Sequence, residues 1–154
     1  MDLTIDLEDY KLNIRAGAII IHNNKVLTHS DKNLNHYALI GGRIELGEDS
    51  ETTIKRELKE ELGKDVQITD YVTTVENFFE SNGKKFHELF FVYKAEFVNE
   101  ADKKIEHTLK NMEGNENLQY EWIDINKLDN YSLLPLSIKE MLKNNDYQSH
   151  AIDK

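Results

Sequence analysis

Residues 42–64, GRIELGEDSETTIKRELKEELGK, decide how this chain reads. Gly42 is followed by Glu48, then by Arg56, Glu57 and Leu58, then by Glu60 and Glu61, then by Gly63. Glu57, Glu60 and Glu61 stand at i, i+3 and i+4, so a helix places them on one face. Three carboxylates held together repel one another and weaken an isolated helix. A divalent cation offsets that repulsion, and hard carboxylate oxygens suit Mg²⁺ or Mn²⁺ better than zinc. The pattern points to a metal held against a phosphate-bearing substrate. The bland alternative is a solvated acidic helix edge with ordinary Glu–Lys pairs, and Glu60 and Lys64 do have i,i+4 spacing. The acidic run alone favours that alternative; the glycines, Glu48 and Arg56 at their spacing reverse it.

The same stretch predicts its own local structure. Gly41-Gly42 permits close approach of the backbone to a ligand, and 43–49 reads as a loop. Ser50 is an expected N-cap for a helix running to about Leu62. Ile54, Leu58 and Leu62 form an apolar stripe at i, i+4 and i+8 that faces the core. Lys55 and Lys59 fall on the far side, and Gly63 is a natural residue just past the helix end.

Working outward, 13–21 and 26–28 read as a strand and its return, joined by a turn at His22-Asn23-Asn24. Residues 36–40 are a short extended segment leading into the glycine pair. Residues 66–79 and 85–97 are rich in Val, Thr, Phe and Tyr, as strands are. Asn82-Gly83 between them is a strong hairpin signal. Residues 99–117 read as a long polar loop, a place where functional groups concentrate. Residues 120–123 read as a strand, Pro135 opens a last helix through Leu142, and the tail from about Lys143 is expected to fray. The result is an α/β chain with a mixed sheet, a single domain over 1–154.

Composition narrows the function. A chain of 154 residues suffices for one domain with a substantial core. It has no cysteine, which excludes disulfides, thiol catalysis and Cys-bound zinc. Lys and Arg number 19 against 29 Asp and Glu, a net charge of −10. That argues against a basic nucleic-acid footprint, and no DNA-binding region is evident. It does not exclude an anionic substrate, because a bound cation reverses the local sign. The first residues lack a signal-peptide pattern and no apolar run is long enough for a membrane span, so the expected location is the cytoplasm.

The motif resembles the Nudix box, G-x5-E-x7-R-E-U-x-E-E-x-G-U with U aliphatic. Gly42, Glu48, Arg56, Glu57, Glu60, Glu61 and Gly63 fill every fixed position, and Leu58 fills the first U. A chance match is expected on the order of once in a million chains of this size or less. Lys64 stands where the last aliphatic residue is usual, and Val66 is the residue expected to take over its packing.

This resemblance implies an α/β/α sandwich over nearly the whole chain. It implies a Mg²⁺-dependent hydrolase, with Mn²⁺ as an alternative metal, cleaving the pyrophosphate of a nucleoside diphosphate linked to another group. By motif position Glu57, Glu60 and Glu61 are the metal ligands, and the carbonyl of Gly41 completes the set. Arg56 and Glu48 pair and orient the loop against the helix. The general base is one of these carboxylates or a glutamate from elsewhere. A later-loop acid is common in the family; Glu106, Glu113 and Glu116 are the candidates, and Glu116 is taken as the metal ligand. Among histidines, His36 and His87 are the two near the expected cleft. Most of Phe78, Phe79, Phe86, Phe90, Phe91, Tyr93 and Trp122 are expected in the core, with adjacent rings on opposite faces.

Subfamily marks are missing, including the proline beyond the box frequent in ADP-ribose pyrophosphatases. The resemblance allows a homodimer without locating an interface. The competing reading is a non-catalytic nucleotide-sensing module on the same fold. Such modules usually lose box glutamates, and none is lost here. A diphosphate isomerase would need further catalytic groups, including a cysteine in the commonest type.

Overall fold

The computed structural model describes residues 1–104 and 109–154. Among these residues, eleven strands and two α-helices run in the order β1 (Thr4–Asp6), β2 (Tyr10–Ile19), β3 (Ile21–His22), β4 (Lys25–Asp31), β5 (Tyr37–Ala38), β6 (Ile40–Arg43), α1 (Ser50–Leu62), β7 (Val66–Ser81), β8 (Lys84–Phe97), β9 (Leu118–Asp124), β10 (Leu133–Leu134), α2 (Leu136–Asn144) and β11 (His150–Asp153). Two 3-10 turns, Glu100–Lys103 and Ile125–Asn130, fill connections.

The larger sheet has the order β1-β2-β8-β7-β11, with β6 added beside β2. It is mixed: β2 runs parallel to β8 and β11 parallel to β7, whereas β1, β6 and the β7–β8 pair are antiparallel. The smaller sheet is β10-β5-β4-β3 with β9 beside β4. Its β10–β5 pair is parallel.

Two packed clusters flank the larger sheet. Ile54, Leu58 and Leu62 of α1 meet Ala16, Ala18 and Phe97 in one cluster. Ile138 and Leu142 of α2 meet Val75, Phe90 and Val92 in the other. Ile54 and Leu58 are fully buried, as the apolar stripe requires. The α/β character and the sandwiching of a mixed sheet are those expected.

The hairpin between β7 and β8 turns at Asn82 (φ 52°) and Gly83 (φ 77°). Two consecutive positive φ values define the primed turn whose twist matches the flanking strands. Helix α1 is capped one residue earlier than expected. Asp49, not Ser50, has the extended backbone of a cap, and its Oδ1 accepts from the Thr52 amide at 2.8 Å. A carboxylate there also complements the positive end of the helix dipole. Ser50 instead shares a 2.8 Å hydrogen bond with the Tyr93 hydroxyl.

The tail does not fray. Residues His150–Asp153 form β11 along the edge of β7, and Asp153 Oδ2 accepts from both the amide and the hydroxyl of Ser137. A four-residue strand carries little local signal; its stability comes from an edge supplied far away in sequence. No helix among the described residues is long and apolar enough to cross a membrane.

At the box's one departure, Lys64 Nζ pairs with Asp102 at 2.8 Å, and Val66 is buried in the α1 cluster. The packing role thus falls to Val66, and the Glu60–Lys64 pair of the bland reading does not form.

Candidate active site

The site is assembled where β6, the loop after it and α1 meet. Gly41 and Gly42 lie in β6 opposite Gly17 and Ala16 of β2. A Cβ on Gly41 would stand 2.0 Å from the Ala16 carbonyl oxygen, so the strand pairing itself demands glycine. A Cβ on Gly42 would instead meet the Glu57 carboxylate, at 2.4 Å. The two glycines therefore serve different ends, one for β2 and one for α1.

Arg56 organises the acidic residues. Its Nε donates to Glu48 Oε2 at 2.8 Å and its Nη2 to Glu48 Oε1 at 2.9 Å, a two-pronged pair. Nη2 also donates to the Arg43 carbonyl at 3.1 Å, tying the loop to the helix. Nη1 reaches Glu57 at 3.0 Å and Glu60 at 3.2 Å. Glu48 further accepts from the Thr53 hydroxyl and the Glu45 amide. The Arg56 hydrogen bonds, with those donors, hold the Glu48 carboxyl down to about 2 despite its partial burial. Arg56 and Glu48 do pair in this geometry.

The three helix carboxylates differ in environment. Glu60 is exposed, Glu57 half-buried and Glu61 buried. Burial raises the Glu57 pKa; the nearby Glu60 and Glu61 charges add to the rise and Arg56 opposes it. Among the described residues no three carboxylate or imidazole groups converge as a ready-made cation site. The donor chemistry nevertheless fits a hard divalent ion. Three carboxylates share one helix edge, and a main-chain cradle at Gly42 has no side chain in the place the Glu57 carboxylate takes. Arg56 supplies the counter-charge in this arrangement.

Two residues not anticipated from the sequence hold Glu61. His29 Nδ1 and the Tyr120 hydroxyl each lie 2.9 Å from Glu61 Oε1. His29 on β4 and Tyr120 on β9 are register partners, with ring centroids 6.1 Å apart. Burial and the Glu61 charge push the Tyr120 hydroxyl well above its ordinary range, so it stays a donor. No local motif marks His29; only strand pairing brings it to the helix. Of the two histidines expected near the cleft, His87 packs against Phe78 with ring centroids 4.4 Å apart and planes tilted by 35°, and His36 makes no side-chain hydrogen bond or ion pair among the described residues.

The long loop contributes differently from expectation. Glu113 and Glu116 are both exposed, and neither side chain makes a hydrogen bond or ion pair to α1 among the described residues. Glu113 lies near enough to add to the Tyr120 shift. Glu106 falls outside the described residues. The loop meets the end of α1 through the Met112 amide, which donates to the Glu61 carbonyl at 2.8 Å, and Leu109 packs against the α1 cluster.

Beside Gly42 opens a cavity of about 330 Å³ lined by Asn13, Arg15, Gly42, Arg43, Phe79, Phe86 and Glu88. Arg15 and Arg43 are register partners on β2 and β6, so both cations belong to one face. Phe79 and Phe86 stack nearly parallel, centroids 4.7 Å apart, and Phe79 is 41% exposed. These rings leave the core, whereas Phe90 stays in it. Glu88 is buried, with Arg15 Nη1 at 3.7 Å. Gly42 thus borders both the cavity, with its apolar wall and two guanidinium groups, and the Glu57 carboxylate, which approaches it from the α1 face of the strand.

Residues 11–144 match the NUDIX domain model. The chain belongs to the Nudix family of pyrophosphohydrolases. No curated protein sequence matches it. It is similar in fold to the MutT protein from Bacillus halodurans, at 19% identity and a TM-score of 0.63, covering 90% of this chain and 85% of that one. It is also similar to the MutT protein from Methanosarcina mazei Go1 (21% identity, TM-score 0.62, 92% and 96% covered). An ADP-ribose pyrophosphatase from Streptococcus suis shares the fold at 15% identity and a TM-score of 0.57, with 92% and 98% covered.

Proposed function

We propose that this chain is a Mg²⁺-dependent hydrolase, with Mn²⁺ able to substitute, that cleaves the pyrophosphate of a nucleoside diphosphate linked to a second group. One observation carries this reading. The Glu57 carboxylate lies against Gly42, and the same glycine borders a cavity walled by stacked Phe79 and Phe86 and by Arg15 and Arg43. Stacked rings suit a flat base, and guanidinium groups suit phosphate oxygens. An acidic helix edge and a cationic pocket that share Gly42 suit a divalent cation, whose charge would offset the carboxylates and attract phosphate.

In this reading Glu57, Glu60 and Glu61 hold the metal with the Gly41 carbonyl. A loop acid completes the set. Glu116 is the loop acid taken for this role and Glu113, near Tyr120, is the other described candidate, so metal affinity compared in Glu116→Gln and Glu113→Gln separates them. When bound, the cation neutralises phosphate charge and makes water more nucleophilic. The chain's own groups do the rest. Arg15 and Arg43 hold the diphosphate, and Glu48 and Arg56 keep the loop in register with α1. A carboxylate of the cluster takes the proton of the attacking water. The water oxygen bonds to one phosphorus, the bridging P–O bond breaks, and the other phosphate leaves with the bonding pair.

Product analysis by chromatography with mass detection tests this on ADP-ribose, dinucleoside polyphosphates, nucleoside diphosphate sugars and nucleoside triphosphates. Each is offered with Mg²⁺, Mn²⁺ or EDTA. Cleavage of one class, abolished by EDTA and in folded Glu60→Gln protein, is the expected result. Tight nucleotide binding with no turnover in either metal would put the sensing module in its place.

A further inference from the structure

We propose that His29 and Tyr120 are positioning residues that set which oxygen of Glu61 faces the metal. The inference rests on the reading of Glu61 as a ligand and adds how this chain orients it. Glu61 is one of the few buried charged side chains, and its two oxygens are not equivalent. Oε1 accepts two hydrogen bonds, from the His29 ring and the Tyr120 hydroxyl, both at 2.9 Å. Oε2 accepts none among the described residues.

Two donors on one oxygen remove the carboxylate's freedom to rotate, because rotation would leave both donors unpaired in a buried place. The bare Oε2 is then the oxygen presented for coordination. His29 must carry its proton on Nδ1 to donate, and the hydrogen bond itself selects that tautomer.

The support extends one layer further out. Asn111 Nδ2 donates to the Tyr120 oxygen at 3.1 Å, while Asn111 Oδ1 accepts the Glu113 and Asn115 amides. The Met112 amide holds the Glu61 main chain at the same point. The long loop therefore reaches the acidic cluster through Asn111 and Tyr120. Groups of this kind, which touch a ligand rather than the metal, typically govern metal affinity about 10- to 100-fold.

The test uses Mn²⁺ alone, with free Mn²⁺ read by its paramagnetic resonance signal, and thermal midpoints in parallel. Tyr120→Phe and His29→Ala are each expected to weaken Mn²⁺ binding about tenfold. His29→Gln, which can place an amide N–H near the same oxygen, is expected to recover part of that loss. In a Glu61→Gln background, Tyr120→Phe is expected to cause no further loss. If Glu61→Gln weakens Mn²⁺ binding while Tyr120→Phe and His29→Ala lower only the midpoint, the positioning role is overturned and the ligand reading stands. If Glu61→Gln itself binds Mn²⁺ like the wild type, both are overturned. Because Tyr120→Phe keeps the ring and its packing, its loss of Mn²⁺ affinity cannot be blamed on a collapsed fold when the midpoint holds.

Discussion

The Glu57 carboxyl carbon and Oε1 both lie 2.4 Å from where a Cβ on Gly42 would be. The first glycine of the motif is thus defined by a side chain fifteen residues further along. Gly42→Ala should fold, since the far end of Glu57 can swing aside, yet it should move a candidate ligand off the main-chain cradle. Mn²⁺ affinity and turnover are expected to fall by about tenfold or more, with a thermal midpoint near the wild type. Gly41→Ala offers the contrast. Its Cβ would strike the Ala16 main chain, which cannot yield without disturbing the β2–β6 pairing. A loss of about 2 kcal/mol or more in denaturant unfolding is expected there. Equal midpoints for the two variants would contradict this division of roles.

Arg56→Lys tests the guanidinium as a shape. A lysine keeps the charge but cannot span both Glu48 oxygens and the Arg43 carbonyl. Stability should drop by about 2 kcal/mol, the cost of leaving partly buried acceptors short of donors. A lysine variant as stable as the parent in urea unfolding would show that charge alone suffices.

Acid should loosen the same junction. The Glu48 carboxyl is held at about 2 in the fold, below its ordinary value of 4.5. A depressed folded pKa gives stability that is full above the unfolded value. It is lost as pH falls from about 4.5 toward 2. Thermal midpoints measured through that window should fall less steeply in Glu48→Gln than in the wild type. Parallel curves would argue that other carboxylates dominate the acid response.

The cavity makes separable demands on a nucleotide. Calorimetric titration with ADP and Mg²⁺ should show Arg43→Ala weakening binding about tenfold through a lost charge-assisted contact. Phe86→Ala should weaken it by a few-fold to about tenfold through lost stacking. Arg15 is a poorer probe, because removing it takes the counter-charge from the buried Glu88 carboxylate and leaves it only the Asn77 amide at 3.4 Å among the described residues. Unchanged affinity in both variants would place the substrate elsewhere.

Much of the local structure was written in short-range pattern. The 3.6-residue stripe of Ile54, Leu58 and Leu62 determined which face of α1 is buried, and Asn82-Gly83 determined where β7 turns into β8. Each depends on steric preferences acting over a few residues. The order of Gly42, Glu48, Arg56, Glu57, Glu60 and Glu61 likewise determined the family, because motif spacing is a one-dimensional property.

What the chain order could not contain is which distant groups meet. His29, Tyr120 and Asn111 reach Glu61 only because β4 pairs with β9 in one register and the loop docks on α1. Arg15 joins Arg43 only through the β2–β6 pairing, and β11 is a strand only because β7 offers it an edge. Hydrogen-bond register and burial are properties of the assembled sheets. They gave the three carboxylates one exposed, one half-buried and one buried environment, although the sequence presents them as equals.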